Sequence, residues 1–425
     1  MASRFSPHLF AMHCKSSNDF ASEHGVIFSW TGTHWAVMSK EVIVKSAYHW
    51  LVANANEHAS EDNAKKCLGA AKIYLEAVPE RTTEIVIPCA NGYLLIDEDN
   101  HLSFVDPSKE HGMRYCLRCS YLPDFGKAPL FEKFLQRVLP DKAVRDRVQE
   151  YVGYTLIPDT RFQRVQVWIG DGANGKGLCA NIVQTLHEKV ASVHLDHLSG
   201  FRLGGIIGAS LVYVDELPTS RIDEAVFKSL VAGELVQVDI KYENPLSVRC
   251  FAKWLVLGNS LPRIRDHSQG FFRRLDLVPF DVTIREEERD ALLGEKIIQT
   301  ELPGVLNWAL EGLLRLLARG KFDPELPEAM QAMLHKAKRE TNTVHSWADA
   351  SEVTLSCAQE TLKSDIYCHY QEWCGANGTS PVDAAQFWKR LKRIADYTET
   401  RRRQDSVQRT WCNLVVPGLK SRAVT

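Results

Sequence analysis

The stretch Gly170-Asp171-Gly172-Ala173-Asn174-Gly175-Lys176-Gly177, GDGANGKG, decides how this chain folds. It fits the phosphate-loop pattern G-x-x-x-x-G-K-[ST] except at its last position, where Gly177 stands in place of a hydroxyl. Alone, the match describes a glycine-rich turn that contains a lysine as well as it describes a nucleotide site. The flanks favour the second reading. RVQVWIG, residues 164–170, is a short β-rich run, and LCANIVQTLHEKV, residues 178–190, carries Leu178, Ile182, Val183, Leu186 and Val190 on one helical face. A strand, this loop and a helix in that order would turn backbone N–H groups toward phosphates at a helix N-terminus, with Leu178 in its first turn. Lys176 would neutralise the β- and γ-phosphates.

Working outward, SLVYVDELP and FAKWLVLGNSLP are apolar runs of strand length that end abruptly in polar residues. Buried strands separated by helices predict an α/β fold with a parallel sheet, whose ligands bind at the carboxyl ends of the strands. Asp215 and Glu216 stand at one such end, 39 positions after Lys176. One carboxylate suits Mg²⁺ and the other suits polarising a water, although a strand often ends in a solvated acidic turn. Asn259 closes WLVLGN, where a neutral amide can orient a lytic water or simply make a turn. In GFFRRLDLVPF, Arg273 and Arg274 precede another apolar strand, as an arginine finger for a neighbouring subunit or as a plain surface pair. Each signal is weak by itself, and their order within residues 170–274 makes them strong together.

The chain has 425 residues, which calls for two or three domains. Its 45% hydrophobic and 24% charged residues are ordinary for a globular protein, and no apolar run is long enough to span a membrane. No signal-peptide layout opens the sequence, and eleven scattered cysteines suit a reducing, cytoplasmic compartment. Cys116 and Cys119 have C-x-x-C spacing without a second pair at zinc-site distance, so ordinary strand cysteines are expected there. The net charge of −2 gives no hint of nucleic acid, but from Gln386 onward ten Lys or Arg face only three acids.

The first 130 residues read as helices mixed with hairpins around Thr31-Gly32-Thr33 and Asp97 to Asn100, without a catalytic grouping. Two amphipathic helices follow within residues 128–157. Beyond a composition shift near RGKFDPELPEAM, a helix over 361–378 and another over 380–394, capped by Ser380, precede a basic hairpin in YTETRRRQDSVQRTWCNLVV. Helix, helix, hairpin is the order of a winged helix. The predicted boundaries are 1–130, 131–335 and 336–425.

These motifs resemble the superfamily three helicases, a compact AAA+ class, and among them the phage/plasmid primase-helicase group, over about residues 85–420. In that group the loop reads G-x-G-x-N-G-K-[ST], and the acidic pair, the GN asparagine and the RR before L-x-x-x-P-F align with it. A further motif running into a DNA-contacting hairpin resembles FKSLVAGELVQVDIKYENPLSVRCFAKWLVLGN, with Lys228 at its start and Lys241 and Tyr242 at the hairpin. The resemblance implies an AAA+ core preceded by a helicase-associated domain, and an ATPase that forms rings, usually hexamers, on single-stranded or forked DNA. It assigns the loop Gly170–Gly177 to ATP, Asp215 to Mg²⁺, Glu216 to the general base, Asn259 to the water sensor and Arg273 or Arg274, with Arg274 slightly favoured, to action in trans. Lys241 and Tyr242 would contact DNA in the pore. Lys389, Arg390, Lys392, Arg393, Arg401, Arg402, Arg403 and Arg409 would form a second DNA face. Gly177 departs from the pattern, and no nucleotidyl-transfer motif supports priming, so that activity is not carried over; whether a separate primase or another replication protein is a partner stays open. A non-helicase loader or remodeller, and a DNA-binding regulator with a decayed ATP site, are the competing readings.

Overall fold

Serine caps and alternating apolar residues set the first elements. The computed structural model describes residues 5–82, 84–198, 200–218, 222–239, 246–260, 269–404 and 407–423. Helix α1 (His8–Ser17) leads into an antiparallel meander of β1 (Phe20–Glu23), β2 (Val26–Trp30) and β3 (Trp35–Val37). Next, α2 (Lys40–Asn54) starts where the Ser39 side chain accepts from Val42 N–H, and α3 (Glu61–Tyr74) where Ser60 accepts from Asn63 N–H. Their inner faces bury Ile43, Ala47, Leu51 and Leu68 against Phe10. A second meander comprises β4 (Ile85–Cys89), β5 (Gly92–Ile96) and β6 (Leu102–Val105).

Two amphipathic helices, α4 (Pro129–Val138) and α5 (Lys142–Thr155), precede the main sheet. Pro129 opens α4 without a side-chain cap of its own. Instead the Glu301 carboxylate accepts from Leu130 N–H and Phe131 N–H, both at 3.0 Å, which satisfies two orphan donors and sets a negative charge at the helix N-terminus.

The main sheet is built from β7 (Val165–Ile169), β8 (Val190–Ser192), β9 (Leu211–Val214), β12 (Lys253–Gly258) and β13 (Leu275–Pro279). Helix α6 (Lys176–Thr185) follows β7, and α7 (Glu224–Ala232) with the antiparallel pair β10 (Leu235–Val238) and β11 (Leu246–Arg249) precedes β12. The four-residue α8 (Gln269–Phe272) precedes β13, and α9 (Leu293–Arg319) closes this part. The order is β13-β7-β12-β9-β8 with every pairing parallel. All residues of β7, β12 and β13 are buried, the signature of strands covered on both faces. Asp276 of β13 is also buried, and a two-pronged bond from Arg147 of α5, at 2.7 and 3.0 Å, neutralises it.

The chain leaves β7, runs outward to β8 at one edge, returns through β9 and β12, and finally crosses β7 to β13. The connection therefore switches direction at β7, where ligands of parallel sheets sit. Helix α6 is shorter than its apolar pattern predicts: it stops at Thr185, and Val190 belongs to β8. The reason is tertiary, since His187 pairs with Leu117 in an isolated antiparallel bridge that pulls the chain out of the helix.

The described residues up to Met330 form one compact unit, and those from Gln331 onward form a second. Within α10 (Glu328–Thr341) the chain passes from the first to the second. The second unit holds α11 (Thr343–Ala350), β14 (Thr354–Leu355), β15 (Gln359–Leu362), α12 (Lys363–Ala376), α13 (Ala384–Ile394), β16 (Glu399–Gln404), β17 (Val407–Cys412), β18 (Leu414–Val415) and β19 (Ser421–Ala423). Trp347, Tyr370, Phe387 and Leu391 fill its core. The cap of α13 is Asp383, which accepts from Gln386 N–H at 2.9 Å, and not Ser380. Pro381 and Val382 separate Ser380 from the helix, whereas D-A-A-Q places cap and donor at the required spacing. Among the described residues no helix is long and apolar enough to cross a membrane.

Candidate functional site

The loop after β7 is held by its own neighbours. Gly170 approaches the end of β13 so closely that a Cβ there would lie 2.3 Å from the Phe280 carbonyl oxygen. Gly175 has φ +79° and ends the loop as the residue before α6. Between them, buried Asn174 acts as a brace: its amide donates to the carbonyls of Asp171 at 3.1 Å and Phe280 at 3.0 Å, and its oxygen accepts from Lys176 N–H at 3.3 Å. Asp171, Gly172 and Ala173 are exposed, and Ala173 takes the left-handed conformation at φ 62°. Helix α6 has no side-chain cap, so the first N–H groups, those of Gly177 and Leu178 included, lack intrahelical acceptors and give its N-terminus positive character.

Lys176 lies at the junction of β7 and β12. Its ammonium donates to Gly170 O at 2.7 Å and Gly258 O at 2.9 Å, and to the Asn259 side-chain oxygen at 3.4 Å. Partial burial lowers the Lys176 pKa, while the charges of Asp171 and Asp215 oppose that shift. Asp215 and Glu216 are exposed just beyond β9, and the Tyr213 hydroxyl donates to Asp215 at 2.6 Å. Burial, reinforced by Asp215, raises the Tyr213 pKa and keeps that hydroxyl protonated as a donor. Lys176, Asn259 and Asp215 thus occupy one end of the sheet around the Gly170–Gly177 loop.

The arginine pair lies elsewhere. Arg273 and Arg274 precede β13, at the amino end of a strand parallel to β7, whereas the loop is at the carboxyl end. Five residues at about 3.3 Å each separate the two ends by roughly 16 Å. Arg274 donates to Gln163 at 3.2 Å and to the Gly270 carbonyl, while Arg273 is exposed.

Lys241 and Tyr242 lie outside the described residues, although β10 and β11 flank them as the arms of an antiparallel pair. Lys228 sits on α7. In the second unit the basic residues divide. Arg401 and Arg403 are exposed on one face of β16, whereas Arg402 alternates to the other face, opposite Arg409 and 3.8 Å from buried Glu360. Lys389 and Arg393 are exposed on α13 and Arg390 is half-buried, while Lys392 pairs with Asp396 at 3.0 Å. The Glu360 pairing was not legible locally, because its partners Arg402 and Arg422 come from other strands.

Comparison with known proteins bears on the same region. A family model described as a family of unknown function (DUF5906) matches residues 168–274. The chain is 23% identical over 182 residues to "Putative helicase 184R" of Invertebrate iridescent virus 6, covering 38% of this chain and 18% of that protein. It is 25% identical over 158 residues to "Putative helicase L207/L206" of Acanthamoeba polyphaga mimivirus, covering 35% and 16%. The matched part therefore spans less than a fifth of either viral relative. Among solved structures, the apo C-terminal region of NrS-1 matches in its A form with a TM-score of 0.52 at 10% identity, over 97% of this chain and all of that one. A second apo structure of the same region matches with a TM-score of 0.52 at 9% identity and equal coverage. At these identities the likeness is one of fold.

Proposed function

We propose that this chain is an ATP-dependent DNA helicase motor of the superfamily three AAA+ type, acting in replication of a phage, plasmid or virus within the host cytoplasm. The observation that carries the reading is the meeting of Lys176 with Asn259 and the ends of β7 and β12, inside a loop braced by Asn174. Phosphates fit there chemically: among the described residues the lysine's hydrogen bonds go to carbonyl and amide oxygens, which an anion can displace, and the α6 terminus adds N–H donors. In this reading Asp215 would hold Mg²⁺, Glu216 would remove a proton from the attacking water and Asn259 would orient that water. Asp215 would be the protein ligand of that ion, which when bound would supply neutralisation of phosphate charge; Gly177 offers no hydroxyl to it.

The finger is assigned to Arg273. It is exposed and lies too far from its own loop to act in cis, while Arg274 is engaged with Gln163. A ring of subunits, a homo-hexamer in the favoured form, would bring Arg273 to a neighbour's site. Lys241 and Tyr242 would track single-stranded DNA in the pore. The second unit would act as a winged helix, with Lys389, Arg401 and Arg403 toward forked DNA.

The test is ATP turnover with and without single-stranded DNA, for the wild type beside Lys176→Ala. DNA-stimulated turnover that falls at least a hundredfold in the variant, together with unwinding of a fork, is the expected result. Turnover no greater than the variant's would leave a DNA-binding regulator, and stimulated turnover without unwinding would leave a loader.

A further inference from the structure

We propose that His34, Cys116 and Glu188 form a zinc site that clamps the N-terminal meander to the main sheet of the first unit. One ligand atom from each of these residues lies within 4.8 Å of the others, the single such group of His, Cys and acidic residues among those described. The three come from distant parts of the sequence, and backbone bonds bring them together. Glu188 N–H donates to Cys116 O at 3.3 Å and Arg118 N–H to Leu186 O at 2.9 Å, so the segment carrying Cys116 lies antiparallel to the turn between α6 and β8. Trp35 N–H donates to Met113 O at 2.8 Å, which sets the residue before it, His34, against the same segment.

The imidazole is prepared as a ligand. Its Nδ1 lies 3.1 Å from both the Thr31 and Thr33 hydroxyls, and a proton held there leaves the lone pair on Nε2. Nε2 lies 3.7 Å from the Glu188 carboxylate, beyond hydrogen-bonding distance and near the roughly 3.5 Å that separates two ligands of a tetrahedral zinc ion. His34 and Cys116 are buried and Glu188 is exposed, so the site has two fixed ligands and one at its mouth that can close on an ion. Nitrogen, sulfur and oxygen donors together favour Zn²⁺ over Mg²⁺ or Ca²⁺, with water in the fourth position. Binding would replace the Cys116 S–H bond by an S–Zn bond and release that proton to solvent. Cys119 lies outside this group, although both thiols donate to the next residue's carbonyl, Cys116 to Leu117 O at 3.2 Å and Cys119 to Ser120 O at 3.4 Å; zinc would displace the first of these bonds.

Co²⁺ titrated into the 425-residue chain is the probe, because its bond to a thiolate gives a charge-transfer absorption that reports sulfur ligation directly. The expected result is one equivalent bound with that absorption, displaced by Zn²⁺, retained in Cys119→Ser and lost in Cys116→Ser. His34→Ala should weaken binding at least about tenfold, since even outer-sphere partners of metal ligands are worth that much. Wild-type protein, folded by circular dichroism, that shows no thiolate absorption would overturn the proposal without recourse to any variant. Loss of the signal in Cys119→Ser would do the same. Neither readout involves nucleotide, so the zinc site and the motor function stand or fall separately.

Discussion

At the scale of single residues, Gly177 is the informative one. A Cβ built there meets no heavy atom within 4 Å, so the missing hydroxyl is not enforced by crowding. As the second residue of α6 it also weakens the helix, by about 0.5 kcal/mol relative to serine. Gly177→Ser is therefore expected to keep ATP turnover and to lower the Mg²⁺ concentration that half-saturates it. A serine variant without turnover would mean that the open space is needed by something other than a metal ligand. The loop pattern was legible here because its glycines and lysine are contiguous. The role of Asn174 was legible only as a letter in the motif, since its partner Phe280 lies 106 positions away.

At the scale of elements, the end of α6 is fixed by side chains it could not have announced. Buried His187 lies 3.1 Å from the Thr155 hydroxyl of α5 and 2.8 Å from the Ser210 hydroxyl just before β9. Burial, with the charge of Lys253 nearby, depresses its pKa to about 3, against 6.5 for an ordinary histidine. Above pH 6.5 the folded and unfolded states both hold it neutral, and its contacts contribute in full. Below 6.5 the unfolded chain binds a proton that the folded chain refuses, so stability falls by about 1.4 kcal/mol per pH unit down to about pH 3. Urea midpoints measured from pH 7 to pH 4 should show this slope in the wild type and a flatter one in His187→Gln. Equal slopes would place the histidine in contact with solvent.

At the scale of the whole molecule, the sheet separates the two halves of the proposed chemistry. The Lys176 loop and Arg273 occupy opposite ends of parallel strands, so turnover should require two chains. Arg273→Ala and Lys176→Ala proteins, each inactive alone, should recover activity on mixing, because one mixed interface pairs an intact loop with an intact arginine. Arg274→Ala mixed in the same way should not recover, given its bond to Gln163. Recovery with Arg274→Ala and not with Arg273→Ala would reverse the assignment.

The sequence by itself determined the parallel α/β core, the glycine-rich loop with its lysine between strand and helix, the polar strand ends at Asp215 and Asn259, and the hairpin arms at β16–β17. These depend on the periodicity of apolar residues and on contiguous turns, both written locally. Only the tertiary structure decided that Asp383 and not Ser380 caps α13, that α6 stops at Thr185, that Arg402 turns from Arg401 and Arg403 toward Glu360, and that His34, Cys116 and Glu188 share one small volume. The physical reason is the same in each case. Where an element ends, and which charges and donors meet, depends on hydrogen-bond partners supplied by other elements, which no local pattern records.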